Sequence, residues 1–266
     1  MSIKYNLKIA EEIKDDIVGW IQEWFDANGK DCNAVIGISG GKDSTVCAAL
    51  LVEALGKDRV IGVEMPDVNQ ADIDDADKVI DFLGIKSYRV NIGFASTALK
   101  NEVLDSISVL TPQAKINLAP RLRMATLYLI AQSSNGRVCN TCNYSEDYVG
   151  YSTLWGDSAG DFAPIQNLLV HDVKAVGYAL RLPKELIEKI PSDGLCGKSD
   201  EDNLGFTYEE LDTYLYSLVP HTEPRKTIDT DIIKIIKKKQ QATKFKLKDI
   251  NLDNPEIMPG MCIEVE

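Results

Sequence analysis

Ile13, Ile17, Trp20, Ile21 and Trp24 recur at the spacing of one apolar helix face, and Asn28-Gly29 closes that helix with turn chemistry. Ala34 to Ile38 is a short β-prone run, read as a buried strand. It leads through a tight turn, Ser39 to Ser44, into a helix over Thr45 to Leu55 that Gly56 ends. The alternation continues. Arg59 to Val63 reads as a second strand. Residues 70–83 read as a helix with Asp72, Asp74, Asp75 and Asp77 in its first turns, where the helix dipole favours negative charge. Tyr88 to Ile92 gives a third strand. Residues 112–134 give a long helix striped by Leu118, Leu122, Ala125 and Leu129, and Arg137 to Cys139 gives a fourth strand. A polar loop rich in Gly and Asp then runs from Asn140 to Asp161, followed by three or four further helices. Strands alternating with helices of this length predict an α/β fold, a parallel twisted sheet flanked by helices, with a C-terminal helical elaboration. No repeat or low-complexity linker divides the chain, so residues 1–266 are read as one domain.

Composition narrows the chemistry. With 266 residues, 44% hydrophobic and 26% charged, the chain is neither disordered nor collagen-like. Lys and Arg number 29 against 41 Asp and Glu, a net charge of −12, which disfavours generic binding to nucleic acid. Residues 1–20 mix charged and apolar positions and do not read as a signal peptide. No apolar run approaches the roughly 20 residues of a membrane span. A cytoplasmic location with reduced thiols is the expectation for the six scattered cysteines.

The turn after the first strand carries the sharpest chemistry. Glycines let Ser39-Gly40-Gly41-Lys42-Asp43-Ser44 approach a ligand closely, and free amides at the following helix start point at an anion. A carboxylate in such a cradle is costly unless a divalent cation bridges it to phosphate, so Asp43 suggests Mg²⁺ with a polyphosphate. The run is neither a Walker A loop nor G-x-G-x-x-G.

This S-G-G-x-D-S run resembles the signature of the ATP pyrophosphatase superfamily, which splits ATP into AMP and pyrophosphate. The resemblance implies an adenine nucleotide alpha hydrolase-like, Rossmann-like fold. Within that superfamily, further stretches are similar in order and spacing to NAD synthetases. They are Met65-Pro66 with Gln70-Ala71-Asp72, Arg121-Leu122-Arg123-Met124, Asn140 to Glu146, Gly150 to Thr153, Gly156-Asp157, Asp161, Pro164, Lys189 to Ser192, Asp200-Glu201 and Gly205 to Tyr208. The resemblance covers roughly residues 10 to 250. It implies the ammonia-dependent form, because the chain has no room for an amidase domain. The implied reaction is adenylation of the deamido-NAD carboxylate by ATP, then displacement of AMP by ammonia to give NAD⁺.

Residue by residue, the resemblance assigns Gly37, Ile38, Ser39, Gly40, Gly41, Lys42, Asp43 and Ser44 to the ATP phosphates. Thr141 and Ser192 would contact ATP. Asp43 and Glu146 would ligate Mg²⁺, Arg121, Asp161 and Lys246 would bind deamido-NAD, and Asp157 would hold or deprotonate ammonium. Family precedent implies a homodimer, with no nucleic acid or membrane partner. Asn140 stands where a Gly is usual, Leu154 and Val170 where many members carry Lys, and Phe245 where a His is usual. Lys42, Lys174, Lys189 or Lys198 are the expected replacements for the missing cation. Trp20 and Trp24 are read as core or dimer packing, and the lysines from Lys234 to Lys248 as a solvated helix face. Two other readings remain: sulfur transfer to tRNA through Cys139 and Cys142, and a nucleotide-binding regulator without turnover.

Overall fold

The computed structural model describes residues 5–68, 73–188, 199–219, 228–247 and 253–261. Its elements alternate at first: α1 (Leu7–Asn28), β1 (Asn33–Gly37), α2 (Lys42–Leu55), β2 (Val60–Glu64), α3 (Ile73–Leu83), β3 (Lys86–Arg89), α4 (Gly93–Ile107), α5 (Pro112–Ser133) and β4 (Gly136–Cys139). Helices follow: α6 (Tyr144–Val149), α7 (Val170–Ala179), α8 (Lys184–Ile187), α9 (Asp200–Leu204), α10 (Tyr208–Ser217) and α11 (Thr230–Thr243). The four strands form one parallel sheet in the order β3-β2-β1-β4, with Ala34 opposite Val60 and Arg137.

Strands β1, β2 and β4 are largely buried on both faces, as their near-continuous apolar runs require. Ala34 and Ile36 point into a core shared with α1, α2, α3 and α7, whereas Val35, Ile61, Val63 and Val138 meet Ala119 and Ala131 of α5. A further cluster joins Val149, Val170, Phe206, Leu211 and Ile236 beneath the C-terminal helices. Trp24 is core: its ring stacks on Phe162 at 4.6 Å, and Trp20 packs against the same ring. Among the described residues no helix is long and apolar enough to cross a membrane.

Several sequence expectations shift. The third strand lies at Lys86–Arg89 and overlaps the expected Tyr88 to Ile92 only at Tyr88 and Arg89. All four of its residues are exposed on an edge, so hydrophobicity carries no signal for it. Backbone bonds from Val90 to Glu64 and from Ile92 to Pro66 continue the alignment beyond the strand. The α5 stripe is also corrected. Leu129 is 68% exposed and Ala125 is exposed, while Ala119, Pro120 and Ala131 form the buried face. Helix α4 had no counterpart in the pattern, because only Gly93 and Ser96 of it are buried. The segment from Asn140 to Asp161 contains α6, and five described helices follow it rather than three or four. Asp72 lies outside the described residues, but Asp74 and Asp75 do occupy the first turn of α3. Lys234, Lys237 and Lys238 of α11 are exposed as read, with Lys234 paired to Asp231 of its own helix at 2.8 Å, whereas Lys239 is half-buried and donates to the Asn203 carbonyl at 3.3 Å.

Candidate active site

The cradle is built at the C-terminal end of β1, the place where open parallel sheets bind ligands. Gly40 takes φ +75°, and a Cβ there would lie 2.7 Å from Asp75 Cβ and 2.8 Å from the Ala76 amide nitrogen. Only glycine lets the loop turn this tightly against α3. Gly41 is then the N-cap of α2 without a side-chain cap, so the first amides of that helix stay available to an anion. Ser39 and Ser44 brace each other, Oγ to Oγ, at 3.1 Å, and Ser44 also donates to the Gly41 carbonyl.

Two carboxylates converge beside this loop. Asp43 sits in the first turn of α2 and Glu146 in the first turn of α6, beyond β4. Asn143 connects them. It is fully buried, its Nδ2 donates to Asp43 Oδ1 at 3.0 Å, and its Oδ1 accepts the Glu146 amide at 3.0 Å. Burial and the Asp43 charge push the Glu146 carboxyl well up, and Lys42 opposes that shift. Two hard carboxylates next to an amide cradle suit an oxygen-seeking divalent cation. The Asn-x-x-Glu capping spacing was visible in the sequence, but its link to Asp43 was not.

A cavity of about 550 Å³ opens over these groups. Gly37, Ile38, Ser39, Gly41, Lys42, Asp43, Ser44, Thr141, Glu146, Asp157 and Lys246 all line it, so the structure brings together most of the site read from the sequence. Asp157 is reached by solvent through the cavity yet is ringed by protein. That desolvation raises its pKa, although the Thr153 amide donates to its Oδ1 at 2.9 Å. Lys246 donates to the Gly150 and Ser152 carbonyls, each at 2.8 Å, and burial lowers its pKa. Gly40 is buried behind the loop against α3.

Arg121 and Asp161 are not in the lining. Arg121 donates to the Leu154 carbonyl at 3.2 Å. Asp161 accepts the Val138 amide at 2.7 Å and the Tyr128 hydroxyl at 3.2 Å. Arg123 faces the cavity instead and donates to the Met65 carbonyl at 3.1 Å. Ser192, Lys189 and Lys198 lie outside the described residues. Asp200 and Asn117 also line the cavity, and Tyr208 covers Lys42 with its ring at 5.5 Å. Asp200 and Tyr208 stand in stretches that resemble the family, but the resemblance gives them no role at the cavity, and Asn117 stands in no such stretch; each is brought in from a distant helix.

The departures have local explanations. Asn140 donates to the Asp157 and Ala159 carbonyls and accepts the Cys142 amide, stitching the strand end to the following loop. Val170 is buried in the C-terminal cluster, away from the cavity. Lys174 does not replace a cation there, since it pairs with Glu188 at 2.9 Å outside the cavity; Lys42 and Lys246 are at the cavity. Phe245 is 59% exposed and off the lining.

Sulfur transfer through Cys139 and Cys142 is not favoured. Both thiols are buried, Cys142 Sγ points to the Asp157 carbonyl at 3.5 Å, and desolvation pushes its pKa well up, away from a reactive thiolate. Cys47, against Cys139, is pushed up in the same way.

The comparisons agree with this geometry. The family model described as NAD synthase matches residues 13–249. The NH(3)-dependent NAD(+) synthetase of Methanocaldococcus jannaschii is 41% identical over 77% of this chain and 80% of its own. That of Finegoldia magna is 39% identical over 87% and 92%. Among solved structures, an NMN synthetase from Francisella tularensis superposes with a TM-score of 0.80 at 33% identity, covering 90% of this chain and 96% of its own. An NH3-dependent NAD synthetase from Campylobacter jejuni superposes at 0.69 with 26% identity, covering 91% and 98%. With its phosphate loop, paired carboxylates and cavity in one place and the family match running nearly end to end, the chain belongs to the NAD synthase family.

Proposed function

We propose that this chain is an ammonia-dependent ligase that forms the amide of NAD⁺ from deamido-NAD, with ATP as co-substrate. The observation that carries the reading is the meeting of the amide cradle, Asp43, Glu146 and Asp157 in one cavity. A carboxylate is a poor electrophile. Its oxygen therefore attacks the α-phosphorus of ATP, an acyl-adenylate forms, and pyrophosphate leaves. The Gly41 to Ser44 amides and Lys42 stabilise charge on the phosphates through preorganised donors. Asp43 and Glu146 would hold Mg²⁺, which when bound neutralises the departing pyrophosphate. Asp157, a carboxylate with a raised pKa, binds ammonium and takes its proton. The ammonia nitrogen then attacks the acyl carbon, AMP leaves with the electron pair of the broken C–O bond, and the second proton shed by the new amide nitrogen passes to solvent.

Thr141 and Ser192 are assigned to ATP, and Arg121, Asp161 and Lys246 to the dinucleotide. Arg121 and Asp161 are off the cavity lining, so their assignment is to a part of the substrate that extends past it. The active unit is a homodimer. Its support is the apolar surface that α4, α5 and their connection leave on solvent, with Phe94 86%, Ile107 60% and Val109 68% exposed. The free buried thiols Cys32, Cys47, Cys139 and Cys142 suit a reducing cytoplasm.

A mononucleotide acceptor, the acid precursor of NMN, is a second reading, favoured by the higher TM-score to the NMN synthetase. Incubating the protein with ATP, Mg²⁺, ammonium and either acid tests both readings. Deamido-NAD should give NAD⁺ in step with pyrophosphate. A higher kcat/KM for the mononucleotide would overturn the first reading in favour of the second.

A further inference from the structure

Both oxygens of the Asp43 carboxylate are engaged by donors of the protein itself. Oδ1 accepts Asn143 Nδ2 at 3.0 Å, and Oδ2 accepts the Lys42 ammonium at 2.7 Å. Lys42 is no surface lysine. It is 2% exposed, begins α2, and lies under the Tyr208 ring at 5.5 Å. Its charged neighbours include Asp43, Glu146 and Asp200, with Asp212 further off. An ammonium withdrawn this far from water needs negative partners, and the three nearer carboxylates supply them.

We propose that Lys42 is a tethered stand-in for the divalent cation, holding Asp43 until a metal and the triphosphate arrive together. The inference rests on the reading of Asp43 and Glu146 as metal ligands. A divalent ion alone meets a carboxylate oxygen already taken by a positive group, with the low-dielectric surroundings strengthening the repulsion. The triphosphate changes the balance. Its oxygens give the ammonium a new acceptor, and Asp43 Oδ2 would then be free to hold the metal. A lysine suits the exchange, because its flexible stem carries a compact charge with rotatable donors. Metal therefore loads with nucleotide and not before it. One consequence is that the carboxylate cluster stays charge-compensated between turnovers without a resident ion.

Mn²⁺ binding, read by water-proton relaxation, tests this without turnover. Binding to the protein is titrated with and without α,β-methylene-ATP, and Mn²⁺ held by free analogue is subtracted. Wild type should bind Mn²⁺ at least tenfold more tightly with the analogue than without it. Lys42→Met, checked for folding by its melting curve, should bind Mn²⁺ at least tenfold more tightly than wild type in the nucleotide-free state. Lys42→Arg, which keeps the charge, should stay near wild type. Nucleotide-free wild type that binds Mn²⁺ as tightly as its analogue complex overturns the proposal while leaving the metal reading intact, and this arm needs no variant. Absence of bound Mn²⁺ in every state, analogue included, overturns the metal reading and the proposal with it.

Discussion

Asn143 Nδ2 donates to Asp43 Oδ1 at 3.0 Å, across 100 positions of sequence, while the same side chain caps α6 through the Glu146 amide. One buried amide thus sets the separation of the two proposed metal ligands. Asn143→Ala removes an N-cap and leaves Asp43 Oδ1 without this donor, a loss of about 1–2 kcal/mol in denaturant unfolding. Half-saturation by Mg²⁺ should rise at least tenfold in steady-state rates. Asn143→Asp keeps the cap but faces one carboxylate with another. It should therefore recover much of the stability and none of the activity, and wild-type activity restored in Asn143→Asp would sink this account.

Gly40 and Gly56 both have positive φ, +75° and +79°, but different surroundings. A Cβ at Gly40 meets α3 backbone below 3.0 Å, whereas one at Gly56 meets nothing within 4 Å. Gly56→Ala should cost about 1 kcal/mol, the strain of the backbone alone. Gly40→Ala should cost more and should also weaken ATP binding, measured calorimetrically, because the loop must move off α3. Equal losses in the two variants, with ATP affinity unchanged, would mean that the Asp75 contact is inconsequential.

What could be read from the sequence divides along physical lines. Strand β1, its loop and α2 combine a buried apolar run with backbone-specific glycines, so local sequence determines them. Strand β3 and helix α4 bury almost nothing and are held by pairing and by neighbours, so the apolar pattern misplaces the one and misses the other. The same holds within the site. Asp43 and Glu146 announce themselves by residue type in a motif. Asp200, Tyr208 and Asn143 stand in motif-like stretches too, but their roles beside Lys42 and Asp43 depend on how distant segments pack together, which no local window contains.

Asp157 gives a pH dependence with a definite sign. Its pKa is raised by desolvation, so its basic form grows as pH rises through that elevated value. Free ammonia also grows with pH, in wild type and variant alike. The ratio of wild-type to Asp157→Asn rates isolates the carboxylate, and it should climb on the acid side and then level off. The KM for ammonium should rise in the variant with the ATP KM unchanged. A flat ratio would remove Asp157 from proton transfer.

Asp212 acts on stability. Fully buried, it accepts the Ser145 hydroxyl at 2.5 Å and the His171 amide at 2.8 Å, and burial pushes its pKa from 3.8 to about 7. The folded state therefore holds this proton when the unfolded chain has released it. Its contribution to stability is highest below pH 3.8 and falls until about pH 7, where it levels. The expected slope in that window is about 1.4 kcal/mol per pH unit. Asp212→Asn should lack that slope, whatever its absolute stability. Parallel stability–pH curves for the two proteins would contradict the raised pKa.

Helix α4 contributes little to its own protein's core, yet it runs beside α5, whose residues Gln113, Asn117, Pro120 and Arg123 line the cavity. An interface on the α4–α5 surface would therefore reach the active site through α5. Ile107→Glu and Val109→Glu place charges on side chains that are 60% and 68% exposed, so the fold should tolerate both. If the homodimer is the active unit, sedimentation should show monomers, and NAD⁺ formation should fall at least tenfold through the KM for deamido-NAD. ATP binding, built from β1 and α2 within one chain, should persist. A charged variant that stays monomeric and fully active would separate the apolar surface from catalysis. A wild-type monomer at assay concentration would remove the dimer altogether.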